Sequence, residues 1–313
     1  MSQEIHIVAV IGCGMIGMSW ASLFLAKGLK VIITDPAEGA ELRFKRYLDD
    51  AWPTLQLLFG PIDQELANNY EFVDDITPRL GTVDFIQENG PENVEFKQEL
   101  FKILDRNAQS EVVIASSSSG LPSSAFVGQC ENKPDRILIG HPFNPPHLIP
   151  LVEVVPHSVT SYTTVSKALD FYRSLGKHPV VILKEVPGFV ANRLQAAINA
   201  EAYSLISRGI ISAEDLDTVV TSGPGLRWGV TGPIITNALG GGGGLDGFTT
   251  RIERLGPAIR RWEDDMHEHR FDWSEEKLTL LEDEVRKYLT AVDWTEMTRK
   301  RDFVLLQALR ARF

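Results

Sequence analysis

The chain has 313 residues, of which 43% are hydrophobic and 23% charged, a balance typical of a soluble globular protein with room for about two domains. Its net charge of −11 argues against a protein that binds the phosphate backbone of nucleic acids. Its two cysteines, Cys13 and Cys130, are too few for a disulfide framework and no Cys/His cluster has the spacing of metal ligands, so we expect a reducing, cytoplasmic setting and no metal.

The first uncharged segment, residues 7–26, is about as long as a membrane-spanning helix. Three glycines interrupt its first half, and neither a basic cluster nor a cleavage site flanks it. A β-branched run over 5–11 instead predicts a buried strand, and the stretch from Met15 to Lys27 predicts a helix that ends at Gly28. We therefore expect no membrane association.

Short apolar runs rich in valine and isoleucine continue down the chain and alternate with helical segments. The predicted strands are 30–34, 83–86, 112–115, 137–140, 151–155 and 178–184, and the helices between them are 93–106 and 161–175. Strands separated by helices predict a mostly parallel, doubly wound sheet of the Rossmann type within an α/β fold.

The pattern changes after Pro187-Gly188. Residues 189–208 have helical spacing of apolar positions, and Ser212 with Asp215 predicts a capped helix start. No convincing strand pair follows, so we predict a sheet domain over 1–186 and an all-helical domain over 187–313. The five glycines at 240–244 predict a mobile loop, with a lid over a site as the alternative.

A glycine fingerprint, Gly12-x-Gly14-x-x-Gly17, lies between the first predicted strand and helix. These glycines, with Met15 and Ile16 between them, predict a tight turn and a free helix N-terminus that bind a dinucleotide pyrophosphate. Asp35, eighteen residues beyond Gly17, would bond the ribose and repel a 2′-phosphate, which favours NAD over NADP. A glycine-rich turn without a ligand is the alternative.

A second polar group lies in the middle of the chain. It comprises the serine run 116–119, the segment from His141 to Asn144, and Glu153. Ser119 and His141 follow successive predicted strands, at the edge where doubly wound sheets bind ligands. Glu153 lies inside an apolar strand, so its carboxylate needs a partner, and a histidine is the obvious candidate.

Long motifs in the same order make the chain resemble the L-3-hydroxyacyl-CoA dehydrogenase family along nearly its whole length, and within it the lambda-crystallin and L-gulonate 3-dehydrogenase branch. The motifs are GCGMIG (12–17), PENVEFKQELF (91–101), SSSSGL (116–121), HPFNPPHLIPLVEVVPH (141–157), KEVPGFVANRL (184–194), EDLD (214–217) and GPGLRW (223–228).

The resemblance implies roles for individual residues. His141 would be the general acid/base, Glu153 would orient its imidazole, and Ser119 and Asn192 would bond the substrate oxygen. It also implies that Glu92 and Lys97 lie near the cofactor and that Asn144 lies near the nicotinamide. Read from the residues alone, Asn192 could cap or pack a helix, and Glu92 and Lys97 could be a surface pair.

The expected reaction is NAD-dependent oxidation of the 3-hydroxyl of a small free L-3-hydroxy acid, such as L-gulonate, to the 3-keto acid. A free carboxylate calls for a cation, and Arg227, in Gly225-Leu-Arg-Trp228, is the best candidate. An L-3-hydroxyacyl-CoA or L-carnitine dehydrogenase is the enzymatic alternative. A crystallin-like structural protein and an NAD-binding sensor are the alternatives without catalysis. We also expect a homodimer built through the helical domain.

Overall fold

The computed structural model describes residues 4–311. The chain forms two compact units, the first made of residues up to Asn192 together with those from Thr298 onward, and the second made of Arg193–Met297. No helix within residues 4–311 is both long and apolar enough to cross a membrane.

The first unit contains, within the described residues, an eight-stranded sheet in the order β3-β2-β1-β4-β5-β6-β7-β8. All neighbouring strands are parallel except β6 and β7, which are antiparallel. The strands are β1 (Ile7–Ile11), β2 (Lys30–Thr34), β3 (Tyr70–Phe72), β4 (Phe85–Glu88), β5 (Val113–Ser116), β6 (Ile137–Pro142), β7 (Leu151–Pro156) and β8 (His178–Val181).

Helices cover both faces of this sheet, as a buried parallel sheet requires. They are α1 (Met15–Ala26), α2 (Ala40–Phe59), α3 (Val94–Asn107) and α4 (Tyr162–Ser174). One apolar cluster contains Trp20, Phe44 and Tyr172, from α1, α2 and α4. A second contains Phe101 from α3 and Phe189. The predicted Rossmann-type sheet is confirmed.

Two elements of the first unit were not predicted. The helix α2 contains Pro53 in its interior, which breaks a helical sequence pattern. The strand β3 has only three residues, and Glu71 lies in the middle of them. It therefore lacks the apolar run by which the other strands were predicted.

The second unit is helical throughout its described residues. Its helices are the larger part of α5 (Ala191–Ser207), α6 (Ala213–Ser222), α7 (Pro224–Gly240), α8 (Gly244–Glu268), α9 (Glu275–Leu289) and the start of α10 (Trp294–Arg310). The helix α7 is kinked at Gly232. The predicted cap at the start of α6 is confirmed, since the Ser212 hydroxyl accepts a bond from the Asp215 amide at 3.0 Å.

The glycine run 240–244 forms only a short loop, since most of the expected segment is taken up by a three-residue turn between two helices. Gly240 ends α7 and Gly244 begins α8, so only three residues connect the two helices. A Cβ added to Gly241 would lie 1.8 Å from the Gly247 carbonyl oxygen, and one added to Gly247 would lie 2.6 Å from the Ala238 oxygen. Gly241 and Gly247 are therefore needed because the backbone of α8 approaches the end of α7 closely, whereas residues 242–244 have positive φ values that favour glycine.

The last helix also differs from the predicted division of the chain. The sequence reading assigned all residues after 186 to the helical domain, whereas the structure groups residues from Thr298 onward with the sheet. Leu306 and Leu309 of α10 are buried, and the Arg310 guanidinium donates to the Leu57 carbonyl oxygen at the end of α2.

Candidate active site

The site lies at the switch point of the sheet, where β1 pairs with β2 on one side and with β4 on the other. Chain connections leave in opposite directions here, which opens a crevice at the carboxyl ends of the strands. The glycine fingerprint follows β1, and Asn89-Gly90 follows β4. These two loops border the crevice.

The glycine fingerprint has the shape that a dinucleotide needs. Gly12 has a φ of +85°, and a Cβ there would lie 2.7 Å from the Asn89 oxygen. A Cβ on Gly17 would lie 1.9 Å from the Gly12 oxygen, whereas one on Gly14 would meet nothing within 4 Å. No side chain caps the N-terminus of α1. The open space at Gly14 beside a free helix N-terminus therefore fits a pyrophosphate.

The other predicted residues of this loop have different surroundings. Met15 is 56% exposed, and Ile16 packs against the apolar core. Asp35 follows β2, and its two carboxylate oxygens accept bonds from the Cys13 amide at 2.7 Å and the Ala37 amide at 2.8 Å. Asp35 thus fixes the glycine loop as well as the edge where a ribose would lie.

Glu92 organises the turn after β5. One of its oxygens accepts bonds from the Ser118 hydroxyl and from the amides of Ser119 and Gly120, all at 2.8 Å. Burial opposes ionisation of this carboxyl, but the Ser118 and Gly120 bonds and the charge of Lys97 hold its pKa below the ordinary value. Glu92 is therefore an ionised residue at the mouth of the crevice.

Lys97 does not occupy the surface position that direct cofactor contact requires. Its side chain and that of Glu88 are both 0% exposed, and its ammonium group donates to both Glu88 oxygens at 2.8 and 2.9 Å. Glu88 also accepts from the Gly90 amide and the Ser116 hydroxyl. Lys97 therefore stabilises the end of β4 by its bond to Glu88. Any effect of Lys97 on a bound cofactor is transmitted through Glu88 and its bonded neighbours.

His141 and Glu153 form the buried pair that the sequence predicted. The antiparallel register places them directly opposite each other on β6 and β7, with His141 Nδ1 2.9 Å from a Glu153 oxygen. The other Glu153 oxygen accepts from the Val190 and Ala191 amides, both at 3.0 Å, where α5 begins. Burial opposes ionisation of Glu153, but the His141 bond and these amides lower its pKa.

Aromatic rings enclose the imidazole. The rings of Phe143 and Phe189 lie 5.2 and 5.6 Å from that of His141. Phe189 is fully buried and has a φ of 49°, in the left-handed region that non-glycine residues rarely adopt. Strain of this kind concentrates at functional sites. At Phe189 it accompanies the turn that directs the next two amides onto Glu153.

Ser119 and Asn192 are brought together in the first unit. The Asn192 side-chain amide donates to the Ser119 carbonyl oxygen at 2.7 Å, and the Ser119 side chain is exposed. Asn144 follows β6 and is also exposed. Arg227 lies on α7 of the second unit, where its side chain is exposed, so it is not part of the group that the first unit assembles.

Sequence reasoning missed the polar residues at the end of β4. Gln87, Glu88 and Asn89 follow an apolar run, and their side chains bond to the serine run. A polar triplet that ends a buried strand at a switch point was the available signal. Residues 4–311 contain no cluster of three or more His, Cys, Asp or Glu side chains that could hold a metal ion.

Comparison with protein families gives two matches that together span most of the chain. Residues 7–186 match the model of the 3-hydroxyacyl-CoA dehydrogenase NAD binding domain. Residues 188–268 match the model of the 3-hydroxyacyl-CoA dehydrogenase C-terminal domain.

Two curated relatives represent different members of this group. A 3-hydroxyacyl-CoA dehydrogenase of Gibberella moniliformis is 64% identical over 312 residues, which are 100% of this chain and 96% of the relative. An L-carnitine dehydrogenase of Streptomyces coelicolor is 40% identical over 258 residues, 82% of this chain and 80% of the relative.

Solved structures give the same grouping. The chain superposes on 5-formyl-3-hydroxy-2-methylpyridine 4-carboxylic acid 5-dehydrogenase, described as an NAD+-dependent dismutase, with a TM-score of 0.77 and 28% identity over 98% of both chains. It also resembles (S)-3-hydroxybutyryl-CoA dehydrogenase from Ralstonia eutropha, with a TM-score of 0.64 and 25% identity over 82% of this chain and 89% of that one.

Proposed function

Because the chain belongs to the 3-hydroxyacyl-CoA dehydrogenase family and is an NAD-dependent dehydrogenase, we propose that it oxidises the 3-hydroxyl group of a small free L-3-hydroxy acid, such as L-gulonate, to the 3-keto acid. The observation that carries the proposal is the buried His141–Glu153 pair, which lies in the same unit as the glycine fingerprint. Relatives named as enzymes over nearly the whole chain favour a catalyst over the structural-protein and sensor alternatives.

His141 takes the proton of the substrate hydroxyl at Nε2, because Nδ1 is bonded to Glu153. Glu153 is held ionised by the two amides at the start of α5, so it stabilises the imidazolium that forms. Bound NAD supplies the acceptor for the hydride. The Phe143 and Phe189 rings exclude water from the imidazole.

Ser119 and Asn192 bond the substrate oxygen in this proposal. The exposed Ser119 hydroxyl is available to the crevice, and Asn192 is fixed beside it. On the cofactor side, Gly12, Gly14 and Gly17 hold the pyrophosphate, together with the amides of Met15 and Ile16. Asp35 holds the adenosine ribose, Glu92 lies near the cofactor, and Asn144 lies near the nicotinamide.

Arg227 binds the substrate carboxylate in this proposal. The residues that the structure describes give its guanidinium no carboxylate partner, and an arginine fork binds carboxylates bidentately. The Streptomyces coelicolor relative is named for L-carnitine, itself a small free 3-hydroxy acid. This name supports the free-acid class and makes carnitine an alternative to gulonate within it.

A 3-hydroxyacyl-CoA thioester is the second candidate. The relative from Gibberella moniliformis, identical at 64% of positions, carries the name of that activity. A thioester has no free carboxylate at the position of an acid substrate, so its turnover does not depend on an arginine there.

The substrate experiment measures kcat/KM for L-gulonate, 3-hydroxybutyrate, L-carnitine and 3-hydroxybutyryl-CoA. A bidentate charged bond is worth about 1.5–3 kcal/mol, so Arg227→Ala should lower kcat/KM for the free acid roughly 10- to 150-fold. Arg227→Lys should recover part of the loss, and Arg254→Ala, at an exposed arginine of α8, should change nothing. Preference for the thioester and indifference to Arg227→Ala would establish the second candidate instead.

A homodimer formed through the second unit is part of the proposal. The helix α7 has no buried residue, and its exposed apolar side chains include Leu226, Ile234 and Leu239. Such a surface indicates an interface. Sedimentation should show a dimer at micromolar concentration, and Ile234→Glu should shift it toward monomer; a stable monomeric wild type would contradict the proposal.

The buried free thiols of Cys13 and Cys130 support a cytoplasmic setting.

A further inference from the structure

The serine run 116–119 contains three hydroxyls that the proposed reaction does not use. The Ser116 hydroxyl donates to the Glu88 carboxylate, and the Ser118 hydroxyl donates to Glu92. The Ser117 hydroxyl donates to Asn89 at 2.7 Å. Each hydroxyl therefore bonds to a different residue in the segment that ends β4 and follows it.

Ser117 is the hub of the largest of these networks. Besides donating to Asn89, its hydroxyl accepts from the Gln87 side-chain amide at 2.8 Å and from the Trp20 indole at 3.3 Å. One hydroxyl has one proton and two lone pairs, so these three bonds saturate it.

One arm of the network reaches the strand that carries the catalytic histidine. Gln87 is fully buried, and its amide nitrogen lies 3.3 Å from the Gly140 carbonyl oxygen, directly before His141. Its amide oxygen accepts from the Tyr172 hydroxyl at 2.7 Å. A Cβ on Gly140 would lie 2.0 Å from that hydroxyl oxygen, so the network is fitted closely against the backbone of β6.

The other arm reaches the glycine loop. The Asn89 side-chain amide donates to the Gln87 carbonyl at 3.0 Å and to the Ile11 carbonyl at 3.4 Å. The Asn89 main-chain amide also donates to Ile11, at 2.6 Å. Ile11 is the last residue of β1, and a Cβ added to Gly12, the next residue, would lie 2.7 Å from the Asn89 carbonyl oxygen.

We propose that Ser117 is a positioning residue that joins the strand of His141 to the dinucleotide loop through Gln87 and Asn89. The network fixes how far the proton acceptor lies from the bound cofactor, so its loss misplaces the two relative to each other. This inference rests on the proposed function for its kinetic readout, and on the geometry alone for its structural readout.

The kinetic test compares wild type with Ser117→Ala, using whichever of the four candidate substrates wild type oxidises fastest. A displacement near 1 Å can lower rates about 100-fold, so kcat should fall about 10- to 100-fold while the Kd of NAD changes less than threefold. The primary isotope effect with 3-deuterated substrate should rise, because hydride transfer becomes slower relative to product release. Ser117→Thr, which keeps the hydroxyl, should recover most of the rate.

Ser22→Ala is the matched control. Ser22 is buried, and its hydroxyl bonds to the Met18 carbonyl within its own helix. It should lose stability without a change in kcat or in the isotope effect. Tyr172→Phe, which removes a single bond of the histidine-side arm, should lower kcat by a few-fold and serves if Ser117→Ala does not fold.

Hydrogen exchange tests the network without relying on turnover. In Ser117→Ala, amides of both 11–17 and 137–142 should exchange faster than in wild type, although these segments lie far from residue 117 in sequence. An unchanged kcat with faster exchange confined to 113–121 would overturn the inference. Failure of wild type to oxidise any of the four substrates would instead contradict the proposed function, and the exchange pattern would still decide the role of Ser117.

Discussion

The switch-point edge of the first unit and the α7–α8 pair of the second unit are held together in different ways. At that edge, the buried side chains of Gln87, Glu88 and Glu153 bond to Ser117, to Lys97 and to the Val190 amide directly before α5. In the α7–α8 pair, Gly241 and Gly247 let two backbones touch directly. Directional bonds fix individual atoms, as catalysis requires, whereas backbone contact fixes only the approach of two helices.

The largest expected effect is a loss of kcat when the hydrogen-bonded pair of His141 and Glu153 is altered. His141→Gln keeps a polar side chain but removes the proposed base, so kcat should fall about 10²- to 10⁴-fold with NAD affinity retained. Glu153→Gln should cost less, because it keeps a hydrogen-bonding side chain beside His141 and removes only the charge that stabilises the protonated imidazole. Steady-state kinetics with His157→Gln as control measures both, and a fully active His141→Gln enzyme would refute the mechanism.

The backbone contact is tested by adding one methyl group. Gly241→Ala would place its Cβ 1.8 Å from the Gly247 oxygen, so the free energy of unfolding should fall by about 3 kcal/mol. Gly229→Ala is the matched control, since that position within α7 has no atom within 4 Å of an added Cβ. It should raise stability by up to about 1 kcal/mol. Urea unfolding measures both, and equal stabilities would show that the helices are not in tight contact.

A buried histidine outside the site, His147, should make the free energy of unfolding of the first unit decrease at acid pH. Burial first, and then the charge of Lys177, lower the pKa of His147 to about 4, while the Ser19 hydroxyl lies 2.8 Å from its Nδ1. Because the unfolded histidine keeps a pKa near 6.5, the unfolded chain binds the extra proton between pH 4 and 6.5. The stabilisation from keeping His147 neutral is therefore complete above pH 6.5, and the free energy of unfolding falls as pH decreases from 6.5 to 4.

The expected loss is up to about 3 kcal/mol over this window. His147→Asn retains an acceptor for Ser19 and removes the titration, so its free energy of unfolding should depend less on pH between 4.5 and 7. Parallel pH profiles for the two proteins would show that His147 is not held neutral.

The smallest expected effect is a change in cofactor preference when Asp35, which follows β2, is replaced. Asp35 accepts a bond from the Cys13 amide, and in the proposed function its charge repels a 2′-phosphate on the ribose. Asp35→Ser should narrow the preference for NAD over NADP about tenfold in kcat/KM. Asp35→Asn, which keeps an acceptor for Cys13, separates the loss of charge from the loss of that bond. Equal use of both cofactors by wild type would remove the basis for this role.

Local patterns predicted the parts of the molecule that depend on near neighbours. The strand–glycine–helix unit at 7–26 was recognisable because each element lies next to the other in sequence. The His141–Glu153 pair was recognisable because a carboxylate inside the apolar strand 151–155 needs a partner. The capped start of α6 at Ser212 follows the same logic, since Ser212 and Asp215 are one helical turn apart.

The sequence predictions were incomplete where the role of a residue depends on contacts with residues far away in the chain. Lys97 looks like a surface residue of a helix, and only the fold reveals Glu88 against its ammonium group. The Ser117 network joins positions separated by about thirty residues, which no local pattern shows. The glycine run resembles a linker, because sequence alone cannot show that α7 and α8 meet there.

The antiparallel pairing of β6 with β7 holds His141, the proposed proton acceptor, through bonds made within the first unit. Glu153 bonds to His141 on the neighbouring strand and to two amides that precede Asn192. Substitutions within residues 193–297 would therefore remove none of these bonds. A directed-evolution library confined to the helical unit would test whether the accepted hydroxy acid can change while the pair is kept.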